Sequence, residues 1–137
     1  MLTISRVIRS AAATALLMSA GLAEAAEQTQ FDLICSGTKT DTKDRQQSPW
    51  NVRLNVDLES GQFCFHGCKD ISKIERIEPG WIYLIDRSSS GGSTKLLVSR
   101  ADGSISEIAL HRSVPILYTG KGTCTVAPFT PFPPKLF

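Results

Sequence analysis

The chain has 137 residues, 15 Lys and Arg against 13 Asp and Glu, a formal net charge of +2 and 42% hydrophobic residues. That length fits one domain with one core and leaves no room for two. Charges of both signs are mixed along the chain, which excludes the clustered basic footprint that nucleic-acid binding requires.

Taken in chain order, residues 1–25 carry Arg6 and Arg9, the apolar run Ala11 to Leu22, and then Ala23-Glu24-Ala25. These are the basic, apolar and small-residue parts of a secretory signal peptide, with cleavage expected after Ala25. The apolar run falls short of the ~20 residues a spanning helix needs, so no membrane span is expected in the mature chain. The expected compartment is periplasmic or secreted. The remaining organisation reads as a β-rich domain over 26–127 and a Pro/Phe-rich C-terminal strap over 128–137.

Within the domain, Gln30 to Cys35 reads as a first strand. Trp50, Val52, Leu54, Val56 and Leu58 alternate with Asn51, Arg53, Asn55, Asp57 and Glu59, the pattern of a strand with one buried face and one wet face. Ser60-Gly61 supplies a turn, and Gln62 to His66 returns as the hairpin partner. The segment 71–77 is ambiguous: Ile71, Ile74 and Ile77 are spaced as on a helical turn, yet β-branched residues resist helix. Trp81 to Asp86 is a further strand, followed by the polar loop Ser88 to Ser93. Lys95 to Arg100 and Ile105 to Arg112 flank Ala101-Asp102-Gly103, a strong hairpin signal. Ile116 to Thr119 and Thr123 to Val126 are read as the last two strands. The predicted fold is all-β: a small antiparallel meander of seven to eight strands, disulfide-stapled, closing into a barrel or a sandwich.

Four cysteines in an exported domain of this size imply two disulfides among three possible pairings. The favoured pairing is Cys35 with Cys124, tying the first strand to the last, and Cys64 with Cys68, four residues apart across a tight bend.

Chemistry-bearing residues are few. Along an extended strand Cys64, His66 and Cys68 would share one face and could hold a metal or do thiol-redox work, although no fourth ligand lies nearby. His111 is expected to face solvent, and Asp57 with Glu59 reads as the wet side of a strand rather than as a carboxylate pair. No Gly-x-Ser-x-Gly nucleophile motif occurs. Catalytic residues and cofactors are therefore not assigned. Trp50, Trp81, Tyr83 and Tyr118 are expected in the core, or lining a small apolar ligand site at an open barrel mouth. In the tail, the prolines impose extended backbone. Phe129, Phe132 and Phe137 then either cover one end of the core or form an exposed partner-binding peptide.

Phe31-Asp32-Leu33-Ile34-Cys35-Ser36-Gly37, Gly61-Gln62-Phe63-Cys64, Gly122-Thr123-Cys124 and the tail Pro128-Phe129-Thr130-Pro131-Phe132-Pro133 together resemble small uncharacterised exported proteins of Gram-negative bacteria. That resemblance implies periplasmic residence and no activity. The function expected is a non-enzymatic binding or interaction module, with a periplasmic protein or a small apolar ligand as partner; the alternative is metal binding or redox work at Cys64, His66 and Cys68.

Overall fold

Alternation along β2 (Gln47–Asp57) puts Trp50, Val52, Leu54 and Val56 on one face, and that face meets the like-facing residues of its neighbours. The computed structural model describes residues 27–112 and 117–134; the expected signal peptide and Phe137 lie outside them. Around β2 stand β1 (Gln30–Asp41), β3 (Gln62–Phe65), β4 (Ser72–Lys73), β5 (Arg76–Ile77), β6 (Trp81–Ser89), β7 (Gly92–Ser99), β8 (Ser104–His111) and β9 (Leu117–Ala127). All belong to one antiparallel sheet in the order β4-β3-β2-β1-β9-β8-β7-β6-β5, with no helix among the described residues. The sheet curls into a half-barrel, and Phe31, Leu33, Leu54, Val56, Phe63, Leu84, Leu96 and Ile105 fill its concave side.

The first and last strands therefore lie at the centre, not at the edges. Cys35 stands directly opposite Cys124 in the β1–β9 register, and the two are joined as a disulfide. Two residues on, Gly37 faces Gly122. The backbones come so close there that a Cβ on Gly37 would strike the Lys121 carbonyl oxygen, and one on Gly122 the Ser36 carbonyl oxygen. Gly120 leaves room for the Trp50 indole, which a Cβ would meet at 3.0 Å. These glycines explain why the two expected strands 116–119 and 123–126 are one continuous β9: they permit close approach rather than ending the strand.

The sheet's two outermost strands, β4 and β5, are neighbours in sequence, joined only by Ile74 and Glu75. The Ile74 N–H donates to Gly61 O at 2.8 Å on the β3 side, and the Glu75 N–H to Tyr83 O at 3.0 Å on the β6 side. The ambiguous segment is thus a bridge between the edges. Ile74 is buried while Ile77 is exposed, so the three isoleucines share no face. The polar stretch after β6 is shorter as a loop than expected, because pairing continues to Ser89 opposite Gly92 and leaves Ser90 and Gly91 at the tip.

Two aromatic expectations are corrected. Ile82 and Leu84 occupy the core side of β6, so Trp81 and Tyr83, of opposite parity, point outward. Trp81 is 38% exposed, and Tyr83 lies under the Arg76 guanidinium at 3.8 Å. Tyr118 is half-buried beneath the Lys39 ammonium, also at 3.8 Å.

Gly122→Ala is expected to lower unfolding free energy by about 1–3 kcal/mol, the usual cost of forcing atoms into a filled space. Replacing Cys35 and Cys124 together by Ser should remove about 2–5 kcal/mol. Urea titrations followed by tryptophan fluorescence measure both.

Candidate functional site

The outer face of β1 and β2, expected to be wet, is buried at one end. Asp32 and Asn55 pair across the two strands with parity opposite to the core residues, yet Asp32 is 0% exposed. What covers them is the segment after β9. The Thr130 N–H donates to Asp32 Oδ1 at 2.9 Å and the Thr130 hydroxyl to Asp32 Oδ2 at 2.7 Å. Asn55 Nδ2 donates both to Asp32 Oδ1 (2.8 Å) and to Thr130 O (3.1 Å). Arg53, diagonal to Asp32 across the strands, adds Nη2 at 2.7 Å and Nε at 3.3 Å to Oδ2. A buried carboxylate tolerates burial when its lone pairs are satisfied in this way. Pro133 and Pro134 continue to the loop after β3, beside Cys68, Lys69 and Ile71. The described part of the tail therefore lies over the outer face of the sheet, where Thr130 meets Asp32 and Asn55. Phe129 and Phe132 are half-buried and stack edge-to-face on each other, centroids 5.5 Å apart.

Burial alone would push the Asp32 carboxyl up. The two Thr130 donors and then Arg53 outweigh it, and the carboxyl is held below the 3.8 of an unperturbed aspartate. Asp57 behaves similarly: burial raises it, while donors from Ser60, Gln30 and Glu59 bring it below the ordinary value. Its Oδ1 accepts from the Glu59 and Ser60 N–H groups, both at 3.0 Å, so it closes the β2–β3 turn. Asp57 is buried rather than wet, and Glu59 lies beyond the strand end.

The Cys64–His66–Cys68 ligand set does not assemble. β3 ends at Phe65, the Cys68 N–H turns back to Phe65 O at 2.8 Å, and Gly67 and Cys68 take φ of 96° and 43°. The extended face that would have aligned the three side chains is replaced by a bend, and Cys64 and Cys68 are bonded to each other. Neither sulfur is a thiolate, and no cluster of three or more His, Cys, Asp or Glu among the described residues could hold a metal. Both sulfurs instead lie against Asn55 Oδ1, at 3.7 and 3.9 Å. His66 and His111 are exposed.

At the end of the half-barrel where β7 turns into β8, the core opens. A cavity of about 420 Å³ has Phe31, Leu33, Ile82 and Val98 as its buried floor, with Leu58, Cys124 and Val126 around it. Val126 is 61% exposed. Ser99, Arg100, Asp102 and Glu27 supply the polar rim. The rim is held firmly: Gly103 N–H donates to Ser99 O at 3.1 Å, Cys124 N–H to Gly103 O at 2.8 Å, and Ser104 N–H to Asp102 Oδ1 at 2.9 Å. Arg100 is anchored by its own N–H to Gly80 O at 2.9 Å and by Nη1 to Glu78 O at 3.4 Å, and its Nη2 pairs with Glu27. None of Trp50, Trp81, Tyr83 and Tyr118 lines this mouth. The residues that do carry no motif in the sequence. Neither protein-family models nor curated proteins yield a match to this chain.

Asp32→Asn is expected to destabilise by about 1–3 kcal/mol, because donors that now meet a carboxylate would lose a partner. Since the folded-state pKa lies below 3.8, the stabilisation from Asp32 is complete above that pH and is lost as pH falls through the lower folded value. Stability measured from pH 6 down to pH 2 should fall less steeply in Asp32→Asn than in the wild type.

Proposed function

We propose that the protein is an exported, non-enzymatic binding module that takes a small apolar ligand in the mouth of its half-barrel. The observation that carries this reading is the cavity itself. Its floor is apolar and built from the sheet's own strands, its rim has a few fixed polar groups, and its volume of about 420 Å³ falls in the range of small-molecule sites. Export is supported by the leader-like residues 1–25, by the resemblance to exported Gram-negative proteins, and by two disulfides, which persist in oxidising compartments. The strap enters as a fastening, since Thr130 is pinned at Asp32 and Phe129 is stacked on Phe132.

N-phenyl-1-naphthylamine, a neutral probe whose fluorescence rises in apolar surroundings, should bind the wild type saturably. Val126→Glu, at an exposed position where substitutions cost little stability, should weaken it at least tenfold with the urea midpoint unchanged. Absence of saturable binding to the wild type would remove the mouth as a site. Export is checked by the unreduced mass of protein recovered after expression of the full chain in a Gram-negative host. The expected mass lacks residues 1–25 and shows all four cysteines blocked; intact chain in the cytosol with free thiols would overturn export.

A further inference from the structure

Arg100 makes the mouth more than an apolar hole. Its backbone and Nη1 are fixed by Gly80 O and Glu78 O, so the guanidinium is presented at the rim with its side chain only 24% exposed. The carboxylate it meets belongs to Glu27, which precedes β1 and is 72% exposed. An ion pair with so exposed a partner contributes little stability and exchanges readily. Asp102, the other acid of the rim, already has its carboxylate engaged by the Ser104 N–H in the β7–β8 turn. A planar guanidinium prefers a carboxylate, which it can bind through two parallel hydrogen bonds. Below it lies a floor of Phe31, Leu33, Ile82 and Val98.

We infer that the mouth selects an amphipathic carboxylate, a short fatty acid or a comparable apolar acid, whose head displaces Glu27 from Arg100 while its tail enters the cavity. Glu27 is then a built-in stand-in for the ligand head, and its ion pair occupies the Arg100 guanidinium at the rim. The inference rests on the proposed apolar site and adds the charge of the ligand to it.

The test uses octanoate and its neutral counterpart octan-1-ol, titrated into ¹⁵N-labelled protein purified after expression of the full chain. Octanoate should shift the amide signals of Val98, Arg100 and Val126 and bind at least tenfold more tightly than octan-1-ol. Arg100→Gln should abolish that preference, Arg100→Lys should retain part of it, and Glu27→Gln should tighten octanoate severalfold by removing the competitor. The affinity for octan-1-ol should be the same in all four proteins. If both probes bind equally and Arg100→Gln changes neither, the anionic head is refuted and the apolar mouth stands. If neither probe perturbs the mouth, both readings fall.

Discussion

The β1–β9 ladder is the contact on which the rest of the molecule depends. Each of these two strands also carries the next strand of its half of the sheet, β2 on one side and β8 on the other. Without the ladder there would be two hairpin stacks, each with an open edge and an uncovered apolar face. The sequence invests in it three times: a disulfide between directly opposed residues, a glycine pair that lets the backbones touch, and Gly120 beneath the Trp50 ring. The mouth is a product of the same ladder, since Phe31 and Leu33 of β1 and Cys124 and Val126 of β9 form one wall of it.

Opposite faces of this ladder do different things. On the concave side the apolar residues leave an opening bordered by Arg100 and Glu27. On the convex side Asp32 and Asn55 hold the strap, with the Cys64–Cys68 sulfurs against the same asparagine. A fully buried carboxylate is a weak source of stability but a demanding geometric one, because few arrangements satisfy it. Its role here is to fix where the tail crosses the sheet.

The all-β class, the hairpins and the core face of β2 were readable because strand alternation is a local signal. The strap's position was not: Asn55 looks like a wet-side residue whether or not a segment 75 positions later covers it. Gly120 and Gly122 fell in the gap between the two strands read there, because close backbone approach and strand interruption favour the same residue. Trp81 and Tyr83 were placed inside by size, whereas parity with Ile82 and Leu84 decides the matter and was already in the sequence. A small apolar site at an open mouth was expected, but its lining residues left no trace, since Glu27 and Arg100 meet only once the sheet has curled, and a cavity is a property of that curl rather than of any short stretch.

The central position of the two terminal strands also governs the order of events in the life of the chain. Asp32 finds Ala127 as its ladder partner, so the contacts that matter most span nearly the whole domain, and such long-range pairings form late and slowly. While the ribosome is still making the chain, no subset of strands can complete the ladder. Until β9 arrives, hairpins on either side can pair locally while their apolar faces stay uncovered, so the interval before the ladder closes is the one in which the chain is most prone to aggregate.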